Sequence, residues 1–202
     1  TRVAQHAKRA SCASNLQQIG IAFQAYAAEY KGVVPRYAPY HGSSRGPVWL
    51  TAILPHVGAP RLWGWDDLPR QKVLHCPSHP KSDIPSSYVL NCFAPETAPR
   101  WRGAPPLNLS AARRPSGVGW LLEAPDEYGA RDHGILFDDI YFEQFHVARS
   151  PAHLPGGAQA RLFGRRHLNR SANVLFLDWH VSALDTGKIN LALMDDGIRS
   201  RQ

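Results

Sequence analysis

The chain has 202 residues, a formal net charge of +7, 44% apolar residues and 19% charged residues. This composition suits one packed domain and excludes a chain that is disordered throughout. The sequence shows no signal-peptide pattern. Its apolar runs are all much shorter than the roughly 20 residues that span a bilayer. Because the pattern at Thr1 is already helical, we expect the given sequence to begin downstream of a further N-terminal segment.

The first 31 residues predict one long helix. Bulky or buried-type side chains recur at alternating spacings of four and three, which places them on one helical stripe: Cys12, Leu16, Ile19, Phe23, Tyr26 and Tyr30. Gly32 and Pro35 provide the stop signals. At 1.5 Å per residue such a helix is about 45 Å long. Residues 1–9 carry little that is bulky, so we expect this end to project from the domain.

Short elements follow the helix. The sequence predicts a helix at 48–57 that breaks near Pro55, and brief strands at 73–76, 87–92 and 118–123. It also predicts a C-terminal hairpin of 173–177 with 180–184, and a last short helix at 188–194. One helix followed by short strands favours an α+β fold, with the helix packed on an antiparallel sheet. We expect residues 1–31 to form the helix and residues 32–202 the head, as a single domain, with long loop insertions such as 125–166.

Three segments of the chain resemble bacterial prepilin-type proteins. They are ASCASNLQQIGIAFQAYAAEYKGVVP at 10–35, LHCPSHPKSDIPSSYVLN at 74–91 and RHLNRSANVLFLDWHV at 166–181. The first is similar to the part of the spine that follows the membrane segment, and the second to a Cys-Pro-Ser segment of the head. The third resembles a C-terminal signature of His, nine residues and Asp-Gly. Here ten residues separate His167 from Asp178, and Trp179 stands in the glycine position. Since glycine accepts positive φ and tryptophan does not do so readily, we expect a turn other than the two-residue Asp-Gly type.

The resemblance implies a type II secretion pseudopilin or a related type IV pilin-like subunit of a filament, with a pilin fold. Such proteins are anchored in the inner membrane by an apolar N-terminal helix that a prepilin peptidase cuts and methylates, and their heads are periplasmic. The implied function is structural and non-catalytic, within the general secretion pathway of protein transport. The implied partners are other pseudopilins and secretion components, and we expect the head alone to be a monomer or weakly associated.

The resemblance also bears on the cysteines, because a periplasmic setting permits disulfides. Cys12 lies on the helical stripe that faces the head, and Cys76 lies in the Cys-Pro-Ser segment. We therefore predict a Cys12–Cys76 disulfide. A Cys76–Cys92 bond and three buried free thiols remain alternatives. No Cys-x-x-Cys spacing occurs, so a zinc ribbon is not expected.

A metal-dependent enzyme is one alternative function. His167, Asp178 and His180 would suit catalytic zinc if the two ends of the hairpin region brought them together. The plainer interpretation is that His167 bonds the hairpin backbone and Asp178 caps the turn. The sequence contains neither a nucleophile elbow nor a phosphate-binding glycine loop. We therefore assign no catalytic residue, no cofactor-binding residue and no metal ligand.

Calcium is a separate possibility in the loop 125–166, which could instead bind a partner or cargo. The loop offers four carboxylates but no EF-hand spacing: Asp126, Asp132, Asp138 and Asp139.

A DNA-uptake pilin is the other alternative function, motivated by the net charge. Its patch would consist of Arg113, Arg114, Arg165, Arg166 and Arg170. We favour scattered surface arginines instead, because no basic run exceeds a pair. Four tryptophans in or near loops could anchor a partner, but are expected to fill the loop-rich head: Trp49, Trp63, Trp65 and Trp101.

Overall fold

The computed structural model describes residues 1–35, 49–59, 65–80, 82–92, 106–124, 141–143 and 166–194. The first helix, α1, spans Arg2–Glu29 and confirms the predicted helix. It ends where Lys31 and Gly32 take positive φ values of 56° and 80°. The N–H of Gly32 donates to the carbonyl of Ala27, which satisfies one of the free carbonyls at the end of the helix. Within the described residues two shorter α-helices follow, α2 at Trp49–Ile53 and α3 at Leu191–Met194.

In the part of the chain that the structure describes, the strands form one main sheet and one small ribbon. In chain order they are β1 Val33–Val34, β2 Tyr88–Cys92, β3 Leu107–Asn108, β4 Gly119–Glu123, β5 Tyr141–Glu143, β6 Ser171–Phe176 and β7 Val181–Asp185. The main sheet has the order β5-β2-β4-β6-β7, and β1 pairs with β3. All the pairings are antiparallel except the edge pairing of β2 with β5, which is parallel. With α1 packed on β6 and β7, this is the α+β, pilin-like architecture that the sequence predicts.

One predicted strand is wrong. Residues 73–76 do not join the sheet, because Lys72–Leu74 forms a 3-10 turn. The carbonyl of Leu74 instead accepts two hydrogen bonds, from the N–H of Ser87 at 2.8 Å and from the hydroxyl of Ser86 at 3.3 Å. Pro77 then stops any extension. These local bonds hold the segment beside the start of β2, where Cys76 faces inward.

The core is centred on Phe23 of α1. Its ring stacks on Trp49 and on Trp179, with centroids 6.0 and 5.8 Å away, and meets Trp120 edge-on at 5.8 Å. Trp49 and Trp120 are fully buried. Such aromatic pairs stabilise a fold beyond the area they bury. The core interpretation is therefore confirmed for Trp49; Trp63, Trp101 and the side chain of Trp65 lie outside the described residues.

The predicted stripe of α1 is buried from Cys12 to Tyr26, while Tyr30 is 48% exposed and stacks on Tyr26. The opposite face remains in solvent along the whole helix. Its residues recur every three or four positions and include no charged side chain: Val3, Ala7, Ala10, Ser14, Gln17, Ile21, Ala25 and Ala28. We call this set the outer face of α1. Among the described residues, no helix combines the length and the apolar character needed to cross a membrane.

The hairpin of β6 and β7 closes through a three-residue loop. Phe176 and His180 bond across its base, and the N–H of Trp179 donates to the carbonyl of Phe176 at 2.9 Å. Trp179 takes φ 74°, the left-handed conformation of the bulge residue in such loops. The expectation of a turn other than the two-residue type is thus confirmed. The expected reason is wrong, since Trp179 does adopt the conformation that favours glycine.

Candidate functional site

Four buried side chains from distant parts of the sequence meet beneath α1. They are Cys12, Cys76, Glu123 and His167, and we call them the thiol–histidine cluster. One sulfur, nitrogen or oxygen atom of each lies within 4.8 Å of those of the others. All four residues are buried. The cluster therefore joins the helix to three separate segments of the head.

Local structure explains how each side chain reaches the cluster. Cys12 precedes Leu16 on the buried stripe of α1, and Glu123 is the last residue of β4, on the same face as Leu121. His167 precedes the 3-10 turn Leu168–Arg170 that leads into β6, and its N–H donates to the carbonyl of Ser171 at 2.9 Å.

Cys76 is held in its turn from two sides. Its carbonyl accepts from the N–H of His79 at 2.8 Å. The side chain of Asn15, on α1, donates to the carbonyl of the preceding His75 at 2.7 Å. The helix thus fixes the backbone that carries Cys76 as well as supplying Cys12.

Glu123 is the centre of the hydrogen bonding. Its Oε1 accepts from the Sγ of Cys12 at 2.9 Å and lies 2.7 Å from the Nε2 of His167. The same Nε2 lies 3.9 Å from the Sγ of Cys76. The hydroxyl of Tyr88 is 3.4 Å from the Sγ of Cys12. Every ligand-type atom of the cluster therefore contacts at least one other.

The pKa values of Cys76 and His167 are shifted in opposite directions. A hydrogen bond from Cys12, followed by one from His167, lowers the pKa of Cys76 to about 6 despite burial. Burial alone would lower the pKa of His167, but its hydrogen bonds to Cys76 and Glu123 raise it to about 9. Burial raises the pKa of Cys12 above its ordinary value. The directions of these shifts favour a Cys76 thiolate beside a His167 imidazolium.

Arg166 supplies the neighbouring positive charge. Its Nε lies 3.7 Å from the Oε2 of Glu123, and its side chain is only 1% exposed. It also donates to the carbonyl of Ala124. The predicted DNA-binding patch is therefore wrong in including Arg166, whose guanidinium faces inward because Glu123 is buried there. Arg113, Arg114 and Arg170 are exposed, and Arg165 lies outside the described residues.

This geometry suits a ligand set better than a nucleophilic site. A Cys–His–carboxylate catalytic arrangement uses the two ring nitrogens of histidine for two different partners. In this cluster the one atom Nε2 faces both Glu123 and Cys76. Two sulfurs, one imidazole nitrogen and one carboxylate oxygen are, by contrast, all ligands that zinc accepts.

The structure brings together the two cysteines of the predicted disulfide. Cys12 and Cys76 are neighbours in the cluster, and no bond joins their buried sulfurs. The Cys12–Cys76 disulfide therefore stays a prediction. Cys92 belongs to β2, and its side chain lies outside the described residues.

The predicted convergence of His167, Asp178 and His180 is wrong. β6 has six residues and lies between the first two, which at about 3.3 Å per residue separates them by roughly 20 Å. Asp178 and His180 form an exposed pair with Oδ1 and Nδ1 2.5 Å apart. The expected cap is confirmed, because Asp178 also accepts from the N–H of His180 at 3.3 Å. His167 bonds the hairpin backbone only through its own N–H, and its ring bonds Glu123.

The carboxylates considered for calcium, Asp126, Asp132, Asp138 and Asp139, lie outside the described residues. Glu123 is the site residue that the sequence analysis missed as a possible ligand. Its signal was an acidic residue that ends an otherwise apolar strand, on the same face as Leu121. Because side chains alternate between the two faces of a strand, Glu123 could have been predicted to face the helix, as Leu121 does.

The chain matches a known family over much of its length. A family model described as "Protein of unknown function (DUF1559)", SBP_bac_10, matches residues 3–132. This span includes all of α1 except Arg2, and it contains Cys12, Cys76 and Glu123 but not His167. Neither the curated proteins nor the solved structures give a significant match. The family consists of bacterial pilin-like and pseudopilin-like secreted proteins, which agrees with the fold. The chain belongs to this DUF1559 family and is related to the pilins at that coarse level.

Proposed function

We propose that the protein is a structural, non-catalytic subunit of a filament related to type II secretion pseudopili or type IV pili. In this proposal an N-terminal membrane segment anchors it in the inner membrane, and the head is periplasmic. The pilin-like fold and the family support the proposal. Its partners are other copies of the chain, related pseudopilins and components of the secretion system.

The observation that carries the proposal is the outer face of α1. Val3 and Ile21 are 78% and 62% exposed, and they are among the few large apolar side chains in solvent within the described residues. They are 18 residues apart, which is about five turns at 3.6 residues per turn, so both lie on the same side of the helix. On the outer face of α1, the positions between them hold small or uncharged residues.

A face of this kind suits packing against another helix. Small side chains let two helix backbones approach closely, and i, i+3 and i+4 spacing forms the ridges and grooves that interlock. The face is continuous over the projecting end and over the part of α1 that covers the sheet. A second copy of α1, offset along the same axis, would bury Val3 and Ile21 without disturbing the inner stripe.

The test is a charge placed on the outer face. The complete gene is expressed in cells with Ile21→Lys, and filaments are sheared off, pelleted and imaged by electron microscopy. We expect the wild type to form pelletable filaments and Ile21→Lys to reduce them at least about tenfold, because the charge would have to be buried at the helix contact. Ser116→Lys, at an exposed position in the turn before β4, is the matched control and should assemble normally.

Circular dichroism of both purified variants checks that the head is intact. The proposal fails if the wild type forms no filament and remains outside the membrane fraction. It also fails if Ile21→Lys assembles as well as Ser116→Lys.

A further inference from the structure

We propose that the thiol–histidine cluster is a closed structural zinc site, with Cys12, Cys76, Glu123 and His167 as its four ligands. This inference concerns the head alone and does not depend on filament assembly. The site would hold α1 against the three head segments that carry the other ligands.

The distances within the cluster are close to those of a zinc site. Zinc–ligand distances of about 2.0–2.3 Å place the ligand atoms of a tetrahedral site roughly 3.3–3.8 Å apart. In the cluster the Nε2 of His167 lies 2.7 Å from the Glu123 oxygen and 3.9 Å from the Cys76 sulfur, and the Cys12 sulfur is 2.9 Å from the same oxygen. These distances bracket the tetrahedral ones, so side-chain shifts of under about 1 Å would admit the ion.

The charges around the buried site also suit a zinc ion. A zinc ion with two thiolates and one carboxylate leaves one negative charge. The guanidinium of Arg166, 3.7 Å from the Oε2 of Glu123, balances that charge. The whole group is then neutral with His167 in its uncharged form, which is the form that binds metal. Burial therefore opposes the loaded site less than it would oppose a charged one.

Neighbouring groups hold the ligands in place. The hydroxyl of Tyr88, 3.4 Å from the Sγ of Cys12, can donate to a bound thiolate. The backbone N–H of His167 is fixed by Ser171. Bonds of this kind orient ligands and are typical of metal sites. Four protein ligands leave no open position, so the site is structural rather than catalytic.

The predicted Cys12–Cys76 disulfide and the zinc site exclude one another, because the disulfide uses both sulfur ligands. The test therefore begins with the reduced, metal-free 202-residue chain. Equilibrium dialysis against zinc, followed by elemental analysis, should give one zinc per chain. Cobalt should give the intense visible absorption of a tetrahedral thiolate site, and zinc should abolish it.

Two variants test the ligands. Cys76→Ser should weaken zinc binding at least about 100-fold, and Glu123→Gln, which keeps the shape of the side chain, by about 10-fold or more. His180→Gln removes an exposed histidine of the hairpin loop and should bind zinc as the wild type does. If Cys76→Ser does not fold, the cobalt spectrum of the wild type and the Glu123→Gln result still decide the matter.

The proposal is overturned if the reduced wild-type chain retains no stoichiometric zinc and gives no tetrahedral cobalt spectrum. It is equally overturned if folded Cys76→Ser and Glu123→Gln bind zinc as tightly as His180→Gln. A chain that purifies with the disulfide must gain zinc binding on reduction, and failure to do so contradicts the site.

Discussion

Trp179 has a left-handed backbone conformation, with φ 74°, while its ring lies parallel to that of Phe23 at a centroid distance of 5.8 Å. Tryptophan disfavours this backbone conformation, but at this position its ring contacts the helix. The hairpin loop and α1 are coupled through this contact. The coupling explains how the third residue of the loop can be tryptophan where the resembling signature has glycine.

Because Trp179 has a positive φ, we expect glycine to be more stabilising than alanine at this position, the reverse of their usual order. Both Trp179→Ala and Trp179→Gly lose the contact with Phe23 and should destabilise the protein. The glycine variant should be the more stable by about 1 kcal/mol, because alanine at positive φ is strained and glycine is not. Chemical denaturation of the two variants measures the difference.

Ser182 in β7 provides the matched control. It lies in an ordinary strand, so Ser182→Ala should be more stable than Ser182→Gly, by about 0.5–1 kcal/mol. If alanine is also the better residue at position 179, the left-handed conformation of Trp179 is wrong.

A second prediction concerns Gly20, where α1 packs tightly against the hairpin. A Cβ at this position would lie 2.9 Å from Cδ1 of Leu175 and 3.4 Å from the carbonyl oxygen of Trp179. Although leucine is a far better helix former than glycine, we expect Gly20→Leu to destabilise the protein by about 1–3 kcal/mol through overpacking. Thermal and urea unfolding check this value.

Gln24 is the comparison for Gly20, since it is exposed on the same helix. Gln24→Leu should change the free energy of unfolding by no more than about 0.5 kcal/mol. Equal effects at the two positions would mean that α1 does not pack against the hairpin at Gly20.

A third prediction concerns the contribution of Glu123 to stability in the absence of metal. Glu123→Ala leaves His167 and Arg166 buried without their carboxylate, and breaking a buried ion pair in this way costs about 3–5 kcal/mol. Denaturation in the presence of a chelator measures the loss. Glu29→Ala is the control: this carboxylate is 62% exposed and 3.7 Å from His56, so its loss should cost less than about 1 kcal/mol. A loss at Glu123 as small as that at Glu29 would contradict the buried cluster.

Local patterns explain which elements could be predicted from the sequence. The alternating stripe from Cys12 to Tyr26 reports one buried face of a helix, and it places α1 and its inner side chains correctly. The apolar runs that became β2, β4 and the β6–β7 hairpin are long enough for the same kind of argument. By contrast, β1 and β3 have only two residues each, too few for any periodicity. The parallel pairing of β5 depends on tertiary contacts.

The site was harder to predict for a physical reason. Cys12 and Cys76 carried local signals, one from the helical stripe and one from the Cys-Pro-Ser segment. The contribution of Glu123 arises only when β4, α1 and the start of β6 meet. His167 was assigned to the wrong partners, because the sequence does not show that β6 carries Asp178 to its far end. Hydrogen bonds between residues distant in sequence therefore lay beyond pattern reasoning.

The central claim is that α1 assembles with copies of itself through its outer face. The most direct measurement is cross-linking in cells that express the complete gene with Val3→Cys and Ile21→Cys together in a Cys92→Ser background, using a short bismaleimide. Because each chain then carries two exposed thiols on the outer face, the account predicts a ladder of dimers and higher multimers for this pair, and monomer alone for Ser116→Cys at the exposed turn before β4. Monomer alone for the pair, in cells where the protein is abundant and folded, would contradict it.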